Sequence, residues 1–484
     1  RSTLFPYTTL FRSLADCLIA TRLNSQNFHQ LYYTTRGARL DTSRFAAKSG
    51  TIEYMKQLLV RGVRAILPVR LVHQLEERYR KMRVRLVRMR YGNPAKHLRV
   101  IAVTGTNGKT TTVNYLNEIL KEAGYTTAMF STATIEIAGQ TRRNELNATV
   151  ASTAIMQRFF RRAKKAHVDF VVMEFPSHAI HQHKLEGVPV EMAIMTNLTQ
   201  DHLDYHKTMD AYAEVKSRLF AQNPKYIVLN RDDEWFEYFN KFPAQAQKIT
   251  YGEHADAEAH IDRVKLYRKG TEASITIDHQ TKLELATNLP GKFNVYNMTA
   301  AVCAAYLLGV SLKDIVEGAA NLESVPGRFE RVNTNTPYDV IVDYAHTPDG
   351  LEKILTAVKA ITKNRVLLVF GATGDRDKEK RPIMGEIAAR LANRIFLTDE
   401  ESYNEDPAAI RKMVYDGIER VRSGIVKTTE IPDRRDAIAK ALRLAAKGDT
   451  VLITGMGHEV YRIINGERVP WNDAEVVKEL LKKT

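Results

Sequence analysis

The sequence predicts an α/β protein in which a short basic segment precedes two domains built on mostly parallel sheets. Stretches typical of strands and helices alternate from residue 99 onward, and a second alternation begins after Gly327. Strands joined through a helix usually enter the same sheet in parallel, and the helices then cover both faces. The length of 484 residues also corresponds to about three domains.

The composition excludes several classes of protein. Hydrophobic residues make up 44% and charged residues 26% of the chain, which is typical of globular proteins. The two cysteines, Cys17 and Cys303, exclude a disulfide framework or a cysteine-rich metal centre and favour a reduced, cytoplasmic setting. No apolar run approaches the roughly 20 residues that a membrane-spanning helix needs.

Residues 1–54 show no repeating apolar period and are left unassigned. The segment has no initiator methionine and no secretory signal pattern, and a sequence of different character begins at Met55. We hypothesise that the natural chain begins at Met55 and that the preceding residues are extraneous.

Residues 55–98 are predicted to form a basic helical segment. Residues 55–99 carry thirteen Lys or Arg against two Glu, and so hold most of the net charge of +15. Apolar residues recur there at spacings of three and four, which is helix periodicity. A solvated helix packed on the next domain is the favoured interpretation, and an anionic membrane surface is an open alternative. Nucleic acid is not expected as a partner, because no aromatic stacking platform accompanies the charge.

Residues 99–326 are predicted to form the central domain. The apolar, β-branched run 99–104 predicts a buried strand, and Gly124 closes the helix that follows it. Residues 255–287 alternate between polar and apolar, which predicts a small antiparallel excursion. The other expected strands are 126–130, 170–173, 192–196 and 226–229, and the expected helices include 110–123 and 154–166.

Residues 327–484 are predicted to form a C-terminal, Rossmann-like α/β domain. Short apolar runs alternate there with amphipathic stretches, as in the central domain. The expected strands are 340–342, 365–370, 394–397 and 450–453, and the expected helices are 350–361 and 384–392.

A glycine-rich loop between the first strand and helix predicts a P-loop-type ATP site. Its glycines let backbone N–H groups face a phosphate chain, and the helix N-terminus adds partial positive charge. Lys109 supplies a full charge for the β and γ phosphates, and the Thr110 hydroxyl is suited to Mg²⁺. The full Walker pattern is not matched, since its first glycine would fall at Val103. The predicted ATP-binding loop residues are Gly105, Thr106, Asn107, Gly108, Lys109, Thr110 and Thr111.

Two further polar groups follow predicted strands. Glu174 comes directly after the strand 170–173, and residues 197–206 (NLTQDHLDYH) follow the strand 192–196. Ligands of open α/β sheets bind at the carboxyl ends of the strands, so we expect both groups in one crevice. Two histidines and two aspartates within six residues favour a metal or phosphate site, although Mg²⁺ prefers oxygen ligands.

From about residue 98 to 484 the chain resembles the Mur ligase family of ATP-dependent amide-forming enzymes, and within it the MurE type. The resemblance rests on several ordered motifs, which are GTNGKTTT at 105–112, MEFPSHAI at 173–180, NLTQDHLDYH at 197–206, AYAEVKSRLF at 211–220, GKFNVYN at 291–297, PGRFER at 326–331, DYAHTPDG at 343–350, GATGDRDKEKRP at 371–382 and GMGHE at 455–459. It implies transfer of the ATP γ-phosphate to a carboxylate, and attack on the acyl phosphate by an amine.

The resemblance also implies roles for single residues. Catalysis would rest on Lys109, Glu174, His202, Lys216 and Arg328. One Mg²⁺ would be held by Thr110 and Glu174, and a second by His202 together with Lys216 as a carbamate. Asn294 would contact adenine, Arg328 the γ-phosphate and Asp343 the ribose, with His346 lining that site. The implied substrate-binding residues are Thr149, Ser177, Asp399, Gly455 and Glu459.

The implied substrates are a muramoyl-peptide acceptor and a free amino acid, used by a monomer in peptidoglycan precursor synthesis. Three departures bear on them. No pattern of the family's uridine-binding domain precedes the loop, residues 148–151 lack the family's Thr-Thr-Pro, and the stretch 399–407 has five acids and no arginine. The last departure favours lysine, ornithine or a neutral amino acid over diaminopimelate. Two alternatives stay open, which are a non-catalytic ATP-binding relative at the membrane surface and a folylpolyglutamate-synthetase-like ligase.

Overall fold

The computed structural model describes residues 69–145, 151–421, 424–464 and 467–482. The expectations for residues 1–54 and for Thr149, and the start of the basic segment up to residue 68, lie outside this part of the chain. The described residues from Tyr79 onward belong to one compact unit. Helix α1 spans Val69–Arg90. No helix in the described residues is long and apolar enough to cross a membrane.

The larger sheet has eleven strands within the described residues, in the order β11-β10-β9-β8-β7-β6-β1-β5-β2-β3-β4. The strands from β8 to β2 in this order are parallel. The antiparallel excursion β9–β11 is confirmed. The strand bounds are β1 Arg99–Thr104, β2 Thr127–Phe130, β3 Thr134–Ile137, β4 Gln140–Arg143, β5 Phe170–Glu174, β6 Val190–Met195, β7 Tyr226–Asn230, β8 Gln247–Gly252, β9 Ala259–Tyr267, β10 Gly270–Ile277 and β11 Thr281–Thr287.

The helices of this region connect the strands and cover the sheet. Ser152 and Thr208 begin two of them by accepting a hydrogen bond from a backbone N–H in the first turn. Their bounds are α2 Lys109–Glu122, α3 Thr153–Lys165, α4 Ser177–His181, α5 Leu203–His206, α6 Met209–Ser217, α7 Phe236–Asn240, α8 Lys292–Leu307 and α9 Leu312–Asn321.

The second sheet has six strands, in the order β12-β13-β17-β14-β15-β16, and only β12 pairs antiparallel within it. Its strands are β12 Glu330–Arg331, β13 Asp339–Asp343, β14 Val366–Phe370, β15 Arg394–Leu397, β16 Thr428–Glu430 and β17 Thr450–Thr454, and a separate hairpin is β18 Tyr461–Ile464 and β19 Glu467–Pro470. Its helices are α10 Pro348–Ile361, α11 Lys380–Leu391, α12 Pro407–Glu419, α13 Gly424–Lys427, α14 Arg434–Leu444 and α15 Asp473–Lys482.

Alternate side chains of the central strands enter different cores. In β1, Ile101 and Val103 pack into one hydrophobic cluster, whereas Val100 and Ala102 pack into another. In β14, Leu368 and Leu367 divide between two clusters in the same way. A strand buried on both faces reads as a continuous apolar run, which is why the sequence pattern identified these strands. The predicted α/β class with mostly parallel sheets is confirmed.

One edge of the large sheet was not predicted. Strands β2, β3 and β4 are antiparallel, and β3 and β4 are joined at Ala138 and Gly139, which both have positive φ. The sequence analysis missed this hairpin because β3 and β4 have only four residues each, and the residues of β4 are all exposed.

Candidate active site

The carboxyl ends of three neighbouring central strands lie on the same side of the large sheet. β1 leads into the glycine-rich loop, its neighbour β5 ends at Glu174, and its other neighbour β6 leads into residues 196–206. The expected crevice at the carboxyl ends of these strands is therefore present. It brings together the loop, the carboxylate of Glu174 and the histidine-containing segment.

Two positions of the loop require glycine because neighbouring side chains lie where a Cβ atom would be. Gly105 has a φ of 147° and Gly108 a φ of 87°. A Cβ atom on Gly105 would lie 1.9 Å from Thr196 Oγ1, and one on Gly108 would lie 2.1 Å from Asn297 Oδ1. The Thr196 hydroxyl donates to the Asn107 carbonyl at 2.6 Å. Residues after β6 and on α8 thus hold the loop in its curled shape.

The loop also contributes the side chains that were predicted to bind phosphate. Lys109 Nζ donates to the carbonyls of Gly105 at 3.0 Å and Thr106 at 2.8 Å. Burial lowers the pKa of Lys109, and the nearby Glu174 carboxylate opposes that shift. Thr111 lines the adjoining cavity. The cation is therefore held over the loop, where phosphate oxygens would be bound.

Glu174 and Thr110 fit a magnesium ion. Glu174 Oε1 accepts a hydrogen bond from the Thr132 backbone N–H at 2.8 Å, whereas its Oε2 is buried without a hydrogen-bond partner. Thr110 Oγ1 lies 3.1 Å from Thr132 Oγ1 on the same side. A buried carboxylate oxygen beside a hydroxyl is a donor set that Mg²⁺ prefers.

Lys216 is buried in a position that suits carbamate formation. Its Nζ donates to the Gly105 carbonyl at 2.7 Å and lies 4.7 Å from the centre of the Tyr212 ring. Burial, reinforced by Lys109, lowers the pKa of Lys216 well below its usual value. Carbamate formation needs the neutral amine, so this environment favours it. The described residues contain no group of three or more His, Cys, Asp or Glu that could hold a metal.

His202 lies in a cluster organised by Asp201, one of the two aspartates in the segment predicted to form a metal or phosphate site. Asp201 is buried, and its carboxylate is 3.2 Å from His202 Nε2, 3.8 Å from His346 Nε2 and 3.6 Å from Lys380 Nζ. Burial alone would raise the pKa of Asp201, but His202, Lys380 and His346 hold it well below its usual value. Burial lowers the pKa of His346 to about 4 and that of His202 well below its usual value. Both imidazoles are therefore neutral near pH 7, and neutral imidazole is the form that binds metals.

A cavity of about 960 Å³ lies beside the loop and is lined from both sheets. Phe293, Tyr296 and Asn297 of α8 face it, together with the loop residues Asn107 and Gly108. Asn294, which was predicted to contact adenine, does not line this cavity, because its amide is buried and donates to the Pro290 carbonyl. The aromatic rings and Asn297 are the α8 side chains placed to contact a base.

Residues just before β12 and at the end of β13 complete the cavity. The Arg328 guanidinium donates to Thr110 Oγ1 at 3.3 Å and lies over the Tyr344 ring. Asp343 lines the cavity and accepts hydrogen bonds from the backbone N–H groups of Phe329 and Ala345. The predicted phosphate and ribose contacts therefore lie at the same cavity as the loop.

The substrate-binding residues implied by the resemblance are placed as follows. The Ser177 hydroxyl is buried and paired with His206 Nε2 at 2.9 Å. Asp399 is ion-paired with Arg411. Gly455 follows β17, and Glu459 is buried, accepts a hydrogen bond from the Tyr344 hydroxyl and has a pKa raised well above its usual value by burial. Thr149 lies outside the described residues.

Comparison with known proteins identifies the class. Residues 103–305 match the Mur ligase middle domain, and residues 327–457 match the Mur ligase glutamate ligase domain. A UDP-N-acetylmuramoyl-L-alanyl-D-glutamate–2,6-diaminopimelate ligase of Clostridium botulinum is 40% identical over 395 residues, which is 81% of this chain and 80% of that protein. The corresponding ligase of Bacillus velezensis is 40% identical over 405 residues, covering 81% of each chain.

Solved structures agree with these matches. A structure of a UDP-N-acetylmuramoyl-L-alanyl-D-glutamate–2,6-diaminopimelate ligase has a TM-score of 0.56 and 34% identity, covering 80% of this chain and 78% of its own. A folylpolyglutamate synthase of Mycobacterium tuberculosis has a TM-score of 0.64 over 77% of this chain and 92% of its own, but only 17% identity, so it shares the fold alone. The protein is thus an ATP-dependent ligase that forms carbon–nitrogen bonds. It belongs to the Mur ligase family.

The buried amine of Lys216 generates a test. Lys216→Ala should abolish ligation and should be partly rescued by formate or acetate, because a small carboxylate replaces the carbamate oxygens. Activity is measured with and without the added acid, and ¹³C NMR under ¹³CO₂ should show a carbamate signal in wild type that is absent from Lys216→Ala. Lys225→Ala, an exposed lysine, is the control and should behave as wild type. Rescue of Lys216→Ala by ammonium instead would show that the lysine acts as a cation.

Proposed function

We propose that the protein joins a free amino acid to the carboxylate of a UDP-muramoyl peptide in peptidoglycan precursor synthesis, as a cytoplasmic monomer. The observation that supports this most directly is that Lys109 and Thr110 at the start of α2 lie near Glu174 at the end of β5, while Arg328 donates to the Thr110 hydroxyl. The names of the 40% identical relatives supply the substrate class. The two domains of the proposal are residues 99–326 and 327–484, which close on ATP.

The mechanism assigns a task to each group. The acceptor carboxylate oxygen attacks the γ-phosphorus of ATP, ADP leaves, and an acyl phosphate forms. Lys109 and Arg328 balance the charge that spreads over the transferred phosphoryl group, which is where most catalysis of this step lies. Thr110, Glu174, His202 and Lys216 as a carbamate would hold Mg²⁺, which supplies further charge neutralisation when bound. The amine then attacks the acyl carbon and phosphate leaves as the amide forms.

The enclosed site supports this sequence of steps. An acyl phosphate is lost to hydrolysis if water reaches it, so the cavity must exclude water once both substrates are bound. Asn107 Nδ2 donates to Asp349 Oδ2 at 2.8 Å, and Gln200 Nε2 donates to Asp377 Oδ2 at 3.2 Å. These contacts join the predicted central and C-terminal domains around the cavity and favour a closed arrangement.

The proposed activity is tested with purified protein, ATP, Mg²⁺, UDP-muramoyl dipeptide and amino acids. Phosphate release should require both the acceptor and the amino acid, and mass spectrometry should show one amide per phosphate. Lys109→Ala should lose turnover and keep the melting temperature of wild type, because the side chain lies at the first residue of α2 and is not part of a hydrophobic cluster. A rate of phosphate release that no acceptor stimulates would favour the non-catalytic alternative, and glutamylated folate as the product would favour the folylpolyglutamate-synthetase-like one.

The stretch 399–407 bears on the choice of amino acid. Asp399 pairs with Arg411, Glu400 accepts from Gly371 and Thr373, Glu405 pairs with Arg381, and Asp406 caps α12. Glu401 accepts from the Tyr403 hydroxyl and the Ile463 N–H, and burial raises its pKa. Glu401 forms no ion pair among the described residues, so an ammonium group of the amino acid would be its first charged partner.

An arginine reaches the same place from a different loop. Arg376 lies 5.0 Å from the centre of the Tyr403 ring, and its guanidinium is 3.5 Å from the Tyr403 hydroxyl. The stretch 399–407 itself has no arginine, but Arg376 lies beside it, which the sequence of the stretch alone did not show. A carboxylate and a guanidinium side by side suit the zwitterionic end of diaminopimelate better than lysine. This supports diaminopimelate as the amino acid, in keeping with the names of the relatives.

Competition kinetics test this selectivity. Wild type should have a higher kcat/KM for diaminopimelate than for lysine, and Arg376→Ala should lower the value for diaminopimelate by about tenfold or more, because it removes a charge-assisted contact. The value for lysine should change little. Arg394→Ala, at an exposed position of β15, is the matched control. A wild-type preference for lysine would contradict the assignment and restore the expectation drawn from the sequence.

We also propose that the basic segment 55–98 contacts an anionic membrane surface. On α1, Tyr79, Met82, Leu86 and Met89 are exposed at spacings of three and four, so they share one face. Residues 80–90 contain six Lys or Arg and no acid. An apolar face flanked by basic residues is typical of helices that lie on anionic lipid.

Vesicle flotation tests this contact. The protein should float with anionic vesicles and not with neutral ones, and a Met82→Gln/Leu86→Gln variant should bind less, because it removes part of the apolar face. Val426→Gln, at a hydrophobic residue that is 81% exposed elsewhere, should bind as wild type does. Each nearby basic residue is worth about 1 kcal/mol and is screened by salt. Equal binding of all three proteins would show that the helix is only a solvated face.

A further inference from the structure

A second cavity, of about 390 Å³, lies between helix α3 and the β3–β4 hairpin. It shares no lining residue with the cavity beside the glycine-rich loop. Its walls are half apolar and half polar, and they include two aromatic rings. The apolar lining residues are Phe130, Ile135, Ile137, Ile155 and Phe159. A concave surface of this size suits a small ligand rather than a macromolecule or a membrane.

Three arginines surround this cavity, and we call it the arginine pocket. Arg158 and Arg162 lie four residues apart on α3 and so share one face, and Arg142 is on β4. Among the described residues, none of the three guanidinium groups forms an ion pair or hydrogen bond. Glu145 is the single acid among the lining residues. Three cations around an apolar floor, with one carboxylate, make a site for an anion.

A small cleft of about 20 Å³ lies between the arginine pocket and Glu174. It shares Phe130 and Asn144 with the pocket, and it is also lined by Thr132 and Glu174. Thr132 donates its backbone N–H to Glu174, so the residues between the pocket and the proposed magnesium ligand are contiguous. An acceptor whose carboxylate reacts beside Glu174 would pass over this cleft, and its far end would reach the arginines.

We propose that the arginine pocket binds the diphosphate group of the acceptor, an inference that rests on the proposed function. The planar guanidinium group matches phosphate oxygens in a bidentate manner, and three of them suit a group with two or more negative charges. A muramoyl acceptor carries its diphosphate on the sugar, at the end opposite the reacting carboxylate. The apolar floor would take the ring or chain attached to that diphosphate.

Two kinds of acceptor carry such a diphosphate group, one linked to a nucleotide and one linked to a lipid. In a nucleotide-linked acceptor the diphosphate carries uridine, and the aromatic residues Phe130 and Phe159 would contact the base. In a lipid-linked acceptor it carries a polyprenyl chain, and the apolar walls would contact its first carbons. The geometry of the arginines is the same for both, so the carrier is distinguished by experiment.

Steady-state kinetics test the pocket in the full chain. Arg158→Gln/Arg162→Gln should raise KM for UDP-muramoyl dipeptide by about tenfold to a hundredfold, because charged hydrogen bonds to phosphate are lost. Its kcat and its KM for ATP should stay unchanged. With a muramoyl dipeptide that lacks the diphosphate, the variant and wild type should have equal KM. Arg161→Gln, on the same helix but outside the pocket, is the matched control. An unchanged KM, or an equal rise for both acceptors, overturns the proposal.

A binding measurement separates failure of the pocket from failure of the proposed function. The loop is first saturated with a non-hydrolysable ATP analogue and Mg²⁺, and inorganic pyrophosphate is then titrated by calorimetry. Wild type and Arg161→Gln should bind pyrophosphate, and Arg158→Gln/Arg162→Gln should not. This result supports an anion site even if no muramoyl acceptor is turned over. Equal binding by all three proteins overturns the site itself.

Two further probes identify the carrier. UDP that binds more tightly than pyrophosphate, together with a higher kcat/KM for the UDP-linked acceptor, supports the nucleotide-linked source. Equal binding of UDP and pyrophosphate, together with a higher kcat/KM for a polyprenyl-diphosphate-linked acceptor in detergent, supports the lipid-linked source. Both results retain the diphosphate as the bound group.

Discussion

One buried carboxylate constrains the arrangement of the two sheets. Asp201 follows the end of β6, yet its nearest cations and imidazoles include Lys380 at the start of α11 and His346 after β13. A buried charge without partners would cost several kcal/mol, so these groups must stay together for the fold to be stable. The second sheet is therefore held where its residues reach the crevice of the first. The nucleotide cavity depends on this contact, because Arg328 and Asp343 come from that side.

Much of the fold followed from the sequence because its central strands are buried on both faces. The runs that became β1 and β14 are continuous and apolar, and a motif with a physical reason, the loop before Lys109, lies between a strand and a helix. The hairpin β3–β4 was not predicted because its strands are short and lie at the edge of the sheet. Hydrogen bonds to the neighbouring strand, rather than a pattern of apolar residues, determine the structure there.

Residues of the site could be predicted only where a single segment of the sequence contains the reactive side chains. The loop and Glu174 were found because strand ends in a parallel sheet share an edge. The partners of Asp201, and the neighbouring pair Gln200 and Asp377, which are 177 residues apart, depend on how the second sheet packs, which no local pattern contains. Arg376 was missed for the same reason. Asn294 shows a different limit of sequence motifs. A motif identified this residue but did not show that its amide donates to the Pro290 carbonyl instead of lining the cavity.

The hydrogen bonds of Lys109 have a consequence for what the loop accepts. Two of the three N–H donors of its ammonium group are already used by the carbonyls of Gly105 and Thr106, so an anion there gains one hydrogen bond from the lysine and must displace a carbonyl for each further one. A monoanion such as chloride offers too little in that exchange to displace two carbonyls. A polyphosphate offers several charged oxygens to the lysine and to the loop N–H groups at once. The loop therefore discriminates by valence, and the common small ions of the cell do not compete with the nucleotide.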